Sequence, residues 1–328
     1  MKILVTGATG FIGSHLVDYL LELGYDLRAT IRKTSNLQWL KDKNIELVET
    51  NLNSIDDVCK VVQDVDYIYH VAGLVAAKDY HTFLKANRDA TETLLKSCEQ
   101  VNPNLQRFVL VSSQTVAGPS SSLENPQTED DLPKPITSYG KSKLEGEKIT
   151  LNYSEKIPVT IVRPPAVYGP RDTAIKDIFK LANKGIAPLI GFEDKFVSLI
   201  YVKDLVRGIV LAGESNISDG QIYFIKSHKF YTWNEIMDTM KIALGKKHLW
   251  KVKIPNNLVL ALARISDFFG KFSNKPPVFD YEKGIDFVQK YWICSPEKAR
   301  RDLDFISEIS LEDGLIETAE WYKFMKWI

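Results

Sequence analysis

The chain has 328 residues, of which 45% are apolar and 26% charged, a composition that excludes a disordered chain, a collagen or a coiled coil. Its 42 Lys and Arg balance 42 Asp and Glu, which argues against a generic nucleic-acid or anionic-membrane binder. Cys59, Cys98 and Cys294 share no close spacing, so neither a metal site nor a disulfide framework is expected.

Met1 leads directly into Lys2-Ile3-Leu4-Val5, so no secretory leader is expected. Apolar runs such as Leu258 to Ala263 fall far short of the ~20 residues that cross a bilayer. A cytoplasmic protein without an integral membrane segment is the expectation.

The first 165 residues alternate β-branched runs with helical patterns. Strands are expected at Lys2 to Thr6, Leu27 to Ile31, Ile45 to Val48, Tyr67 to Val71, Phe108 to Ser112 and Val159 to Val162. Several are almost wholly apolar, as strands covered on both faces must be. Between them, Ser14 to Leu23 reads as a helix. Phe83, Ala86, Ala90, Leu94 and Cys98 recur at helical spacing, which predicts one helix from about Tyr80 to Cys98. This alternation means a Rossmann-type, doubly wound α/β fold with a parallel sheet.

Later elements are a helix at Ile178 to Lys184, a strand at Leu199 to Val202, a helix at Asp204 to Leu211 and a strand at Ile222 to Ile225. From Thr232 onward the pattern is mostly helical. It is broken at Pro276-Pro277 and closed by a helix that Ser310-Leu311-Glu312-Asp313 opens as a capping box. Residues 1–168, with 198–228 returning to them, are expected to form the dinucleotide-binding domain. Residues 169–197 and 229–328 are expected to form a smaller, mostly helical substrate lobe at the C-terminal edge of the sheet, where ligands of such folds bind.

Three sites stand out. Thr6-Gly7-Ala8-Thr9-Gly10-Phe11-Ile12-Gly13 places three glycines where a strand turns into a helix. That turn needs a residue without Cβ and close backbone approach to a pyrophosphate, and the helix N-terminus offers free N–H groups to it. At the end of the second strand, where an acidic residue would mark NAD, stand Arg32-Lys33-Thr34-Ser35. Arg32 is suited to a 2′-phosphate, so NADP(H) is favoured and NAD(H) remains possible; a solvated surface arginine is the bland alternative. Tyr139 and Lys143 lie one helical turn apart, so an ammonium is placed to stabilise a phenolate that otherwise forms near pH ~10. Ser113, at the end of the fifth strand, faces the ligand crevice.

Taken together these residues resemble the extended short-chain dehydrogenase/reductase superfamily, also called the NAD-dependent epimerase/dehydratase family, over almost the whole chain. The matching segments include the glycine turn, His70-Val71-Ala72-Gly73, Asn87, Ser113 and the Tyr139/Lys143 pair. Arg163-Pro164-Pro165-Ala166-Val167-Tyr168-Gly169-Pro170 and Tyr201-Val202-Lys203-Asp204-Leu205 complete them. The resemblance implies Ser113, Tyr139 and Lys143 as catalytic residues, with Tyr139 and Lys143 also against the cofactor. It implies cofactor contacts at Gly7, Gly10, Phe11, Ile12 and Gly13, at Arg32, Asn51 and Leu52, at Ala72, Gly73 and Asn87, and at Pro164 and Val167. Asp204 is expected to be a helix cap.

Departures from the sugar-nucleotide branch are Ala117 for Tyr, Pro165 for Asn and Val197 for a diphosphate-binding Arg, with Arg171 or Lys195 as possible substitutes. They point to the branch of dihydroflavonol reductases and 3β-hydroxysteroid dehydrogenases. The expected activity is hydride transfer between NADP(H) and a hydrophobic secondary alcohol or ketone. The alternatives are a nucleotide-sugar epimerase or dehydratase, and a non-catalytic cofactor-binding regulator. The apolar segment Asn256 to Gly270, with Leu258, Leu260, Leu262, Ile265 and Phe268, covers an apolar pocket, lies on a membrane surface or is plain core. A homodimer is implied by the resemblance, through the helix from Tyr80 and the one starting at Ser138.

Overall fold

Apolar runs with no polar face make strands that must be covered on both sides, and the sheet they build here is parallel throughout. In the computed structural model, which describes residues 1–270 and 280–328, it has seven strands among the described residues. Six come from the first half of the chain. They are β1 (Lys2–Thr6), β2 (Asp26–Ile31), β3 (Glu46–Glu49), β4 (Tyr67–His70), β5 (Arg107–Val111) and β6 (Val159–Val162). The spatial order is β3-β2-β1-β4-β5-β6, and a later strand, Gln221–Tyr223, pairs with β6 at the far edge. The order reverses between β1 and β4, which opens a crevice at their carboxyl ends.

Helices α1 (Phe11–Glu22), α2 (Ile55–Val62), α3 (Tyr80–Leu84), α4 (Ala90–Val101) and α5 (Ser138–Asn152) connect these strands. Leu16, Val17 and Leu20 of α1 pack on one face with Ile3, Val5 and Val109. Val58, Val61, Leu94 and Leu95 pack on the other with Leu4, Phe108 and Leu110.

Beyond β6 come β7 (Ala166–Tyr168), helix α6 (Lys176–Asn183), β8 (Ile186–Ile190), β9 (Phe196–Tyr201), helix α7 (Val202–Glu214) and β10, the edge strand Gln221–Tyr223. The rest is β11 (Phe230–Thr232), α8 (Trp233–Ala243), β12 (Trp250–Ile254), α9 (Asn256–Gly270), α10 (Tyr281–Val288), β13 (Tyr291–Trp292), α11 (Glu297–Leu303) and α12 (Leu311–Phe324). Strand β9 pairs with β7, β11 and β13, and β8 pairs with β12. A second core of Phe179, Met237, Met240, Leu315 and Tyr322 lies beside these small sheets. Helix α7 returns to the large sheet, where Leu205, Val206 and Ile209 join the first core.

From Thr232 onward the described residues are mostly helical, as expected, and the short strands β12 and β13 are additions that runs of two to five residues could not announce by periodicity. The expected break at Pro276-Pro277 lies outside the described residues. The last helix starts as expected, with Ser310 Oγ accepting the Asp313 N–H at 3.1 Å.

Two expectations are corrected. The helix from Tyr80 is not uniform: α3 and α4 are joined by a π turn over Lys85–Asp89. That turn carries the Asn87 carbonyl towards α5, where a Cβ on Gly146 would stand 2.5 Å from the oxygen. Asp204 is not a cap. It is buried in the first turn of α7 and accepts the backbone N–H groups of Glu308 at 3.0 Å and Ile309 at 2.9 Å, tying the approach to α12 against the large sheet.

Candidate active site

The turn after β1 is made by contact as well as by conformation. Gly7 has φ +72°, and a Cβ there would stand 2.6 Å from the backbone N of Ala72; one on Gly13 would stand 2.2 Å from the Gly7 carbonyl oxygen. Gly10 caps α1 without a side chain, so the first-turn N–H groups of Phe11, Ile12 and Gly13 have no side-chain cap. Bare N–H groups at the positive end of a helix, beside a glycine wall, fit the pyrophosphate of a dinucleotide. Thr6 Oγ1 accepts the Ala72 N–H at 3.2 Å and pairs with His70 at 2.7 Å, which fixes β4 and Gly73 against that turn.

Arg32 is exposed just beyond β2, with its backbone N–H bonded to Ser35 Oγ at 2.9 Å. Asn51 and Leu52 follow β3. The Thr50 N–H reaches the Ile31 carbonyl at 2.9 Å, which brings these two segments together along one edge of the crevice. Asn51 Oδ1 accepts the Asn53 N–H at 3.1 Å, and Leu52 packs partly into the core.

Helix α5 is capped by Thr137, whose Oγ1 accepts the Gly140 N–H at 3.2 Å. Gly140 lets it approach the loop after β5: a Cβ there would stand 2.7 Å from the Thr115 carbonyl oxygen. That approach brings Tyr139 close to Ser113, near enough for the serine hydroxyl to act on the tyrosine phenol. Lys143 is buried, its Nζ donating to the Val111 carbonyl at 2.8 Å. Asn87 Nδ2 donates to Ser142 Oγ at 2.9 Å, and Asn87 Oδ1 accepts the Leu74 N–H at 2.9 Å, so the π turn braces α5 against the loop after β4.

Burial decides the protonation of this pair. It pushes the Tyr139 phenol up to about 12, against the pull of the Ser113 hydroxyl and with a small further push from Asp286. It pulls the Lys143 ammonium down to about 8, against the attraction of Glu147. The spacing predicted that the Lys143 charge would lower Tyr139; here that ammonium is held by a backbone carbonyl instead.

Pro164 is buried and its carbonyl accepts the Gln114 N–H at 2.8 Å. Beside it a cavity of about 270 Å³ extends from Ser113 into the small lobe. Pro165, Val167, Tyr168, Ile178, Val197, Trp233, Met240, Phe287, Trp292 and Leu315 line it, with Gln114, Asp286 and Gln289. Val197 and Pro165 are thus on the wall.

Arg171 and Lys195 are not on that wall. Arg171 pairs with Asp18 at 2.7 Å, and Lys195 donates to the Val288 carbonyl at 2.5 Å. Leu258, Leu262, Ile265 and Phe268 are between 48% and 58% exposed and do not line the cavity, so these four neither cover the pocket nor pack as core, whereas Val259 and Ala263 of the same helix are buried. Gln114 and Asp286 were missed. Gln114 follows Ser113 directly, a signal that was present; Asp286 comes from α10, with nothing local to mark it.

A profile of the NAD dependent epimerase/dehydratase family matches residues 3–225. A ceramide reductase of Caulobacter vibrioides is 27% identical over 99% of this chain and 95% of its own length. A decarboxylating sterol-4-alpha-carboxylate 3-dehydrogenase of Dictyostelium discoideum is 25% identical over 96% and 99%. Among solved structures, a UDP-glucuronic acid 4-epimerase from Bacillus cereus in complex with NAD is similar with a TM-score of 0.79, at 27% identity over 99% of each chain.

Proposed function

The chain belongs to the NAD dependent epimerase/dehydratase family, and on that premise we propose that this enzyme is an NADP(H)-linked oxidoreductase acting on an apolar secondary alcohol or ketone. One observation carries the reading: no lysine or arginine is among the described residues that line the cavity beside Ser113. A buried nucleotide diphosphate needs its charges paired, usually by arginine forks, and this wall offers none. The names of the Caulobacter and Dictyostelium relatives, a ceramide reductase and a sterol dehydrogenase, lie in the same direction.

Gly7, Gly10, Phe11, Ile12 and Gly13 would hold the pyrophosphate, with Arg32, Asn51 and Leu52 around the adenosine and Ala72, Gly73, Asn87, Pro164 and Val167 along the remaining length. A nicotinamide dinucleotide bound there supplies or accepts the hydride. For ketone reduction, Tyr139 donates its phenolic proton to the carbonyl oxygen as negative charge develops on it, and Ser113 donates a hydrogen bond to the same oxygen. Lys143, when charged, stabilises the phenolate left behind and bonds the cofactor ribose. For alcohol oxidation the same groups run in reverse, and Tyr139 must lose its proton first. NADP(H) is preferred over NAD(H) because Arg32 stands where an acidic residue would otherwise meet the ribose 2′-hydroxyl.

Residues 1–168 and 198–228 serve the cofactor in this reading, and 169–197 and 229–328 the substrate. The working unit is a homodimer through α3, α4 and α5, which light scattering at micromolar protein tests. Among the described residues no helix is long and apolar enough to cross a membrane.

The second reading, nucleotide-sugar epimerisation, is favoured by the likeness to the Bacillus cereus epimerase. A paired panel separates the two. NADPH oxidation is followed with steroid, flavonoid and aryl ketones, and UDP-sugar conversion is followed by NMR. Ketone-dependent NADPH loss is expected; inversion of a UDP-sugar without net cofactor use would install the epimerase.

A further inference from the structure

Two polar side chains on this mostly apolar wall carry polar atoms without partners. Gln114 is 1% exposed, and both its Nε2 and its Oε1 lack a hydrogen bond. Its position is fixed, because its backbone N–H is held by the Pro164 carbonyl at 2.8 Å. Asp286 presents a second such group: its Oδ1 is closed off from solvent and unbonded. Burial pushes this carboxyl up to about 7, and the charges of Glu282 and Asp280 add to the shift. Both residues line the cavity that Ser113 lines.

A buried polar group left without a partner has lost its hydration and gained nothing in exchange. Gln114 and Asp286 therefore hold unfavourable free energy that a matching ligand group would relieve. Few, fixed polar groups in an apolar pocket are also the usual means of orienting a ligand.

We propose that Gln114 and Asp286 form a polar subsite that binds a hydroxyl or amide group carried close to the reacting carbon of an otherwise apolar substrate. The subsite deepens the oxidoreductase reading and rests on it. Asp286 accepts a hydrogen bond from a hydroxyl or an N–H. Gln114 both donates and accepts, so it pairs with either side of an amide or with a hydroxyl. A ketone with no second polar group leaves both unsatisfied and is discriminated against, as sites built to bond a hydroxyl reject analogues that lack it. Once ionised, the Asp286 carboxyl would repel a diphosphate.

Trp233 and Trp292 stand on the same wall, so their fluorescence reports binding without any need for turnover. The probes are dodecane-1,3-diol and dodecan-3-ol, which differ by one hydroxyl two carbons from the secondary alcohol. The wild-type chain is expected to bind the diol at least about tenfold more tightly, the scale of one hydrogen bond to a charged partner. Gln114→Ala and Asp286→Leu are each expected to bring the ratio towards one while binding of dodecan-3-ol is kept. Asp286→Asn, which keeps shape and an acceptor, is expected to lower the ratio less and covers a failure of the leucine variant to fold.

Equal affinity for the two alcohols in wild type, binding of neither, or a ratio unchanged in the variants would overturn the subsite. A diol preference without NADP-linked oxidation of the diol would uphold the subsite and remove the oxidoreductase reading. Oxidation of both alcohols without preference would do the reverse.

Discussion

Arg163 and Glu147 meet in a two-pronged ion pair, Nε to Oε1 at 2.9 Å and Nη2 to Oε2 at 2.7 Å, with both side chains 2% exposed. Glu147 also accepts the Ser112 hydroxyl at 2.5 Å, so one carboxylate joins α5 to the ends of β5 and β6. It lies one helical turn beyond Lys143, directly behind the candidate catalytic pair. Glu147→Ala leaves a buried guanidinium whose Nη1 already lacks a partner. We expect a loss of about 3–5 kcal/mol by chemical denaturation, with much of it recovered when Arg163→Leu is added to Glu147→Leu. A loss below about 1 kcal/mol would show that the pair does not hold these elements together.

Gly140→Ala tests the approach of α5 to the Ser113 loop. Alanine favours a helix, yet its Cβ would meet the Thr115 carbonyl oxygen at 2.7 Å. The expected result is a helix pushed outward, with secondary structure kept by circular dichroism and turnover lowered by about 10²-fold, as follows a misplacement of about 1 Å. Unchanged turnover would mean that the Tyr139–Ser113 contact tolerates the shift.

The folded state should lose stability in mild acid, in part through His70. Its ring nitrogens meet Thr6 Oγ1 at 2.7 Å and Thr91 Oγ1 at 3.0 Å, and burial, with the Lys143 charge, pulls it down to about 3 from 6.5. Between those values the unfolded chain binds a proton that the folded one does not, so stability is full above about pH 6.5 and falls as pH drops towards 3. One such histidine accounts for about 2 kcal/mol between pH 7 and pH 5. Urea unfolding of His70→Gln at both pH values should show a drop smaller than wild type by about that amount; an equal drop would assign the acid sensitivity to other groups.

What the sequence made legible was geometry confined to one turn of chain. The contacts of Gly7, Gly10 and Gly13 follow from three-residue spacing at a strand-to-helix turn, and Tyr139 and Lys143 from one helical turn. The cavity could not be read in the same way. Its wall joins Gln114 to Asp286, and tertiary packing alone brings residues so far apart in sequence onto one surface. Periodicity likewise hid the π turn at Asn87, because an extra residue in a turn leaves the apolar spacing on either side intact. Asp204 looked like a cap because it stands at the start of a helix, but its partners are backbone N–H groups about a hundred residues later. The exposed leucines of α9 were left with three readings because apolar residues at helical spacing indicate a stripe and not what the stripe faces.

Cofactor preference turns on Arg32. Arg32→Asp replaces a phosphate partner by a repelling charge, so NADPH affinity should fall at least about tenfold more than NADH affinity. Titrating both cofactors against both proteins checks this. An unchanged ratio would make Arg32 a surface residue and leave the chain without a sequence reason to prefer NADP(H).

The most direct measurement is the stoichiometry of NADPH oxidation against ketone reduction in the wild-type chain and in Tyr139→Phe, which keeps the ring and removes the proton. One NADPH lost per alcohol formed is expected, with turnover in the variant lower by about 10²–10⁴-fold and cofactor binding retained. Near-normal turnover in the variant would remove Tyr139 from proton transfer. Product formed with no net loss of NADPH would contradict the oxidoreductase account itself.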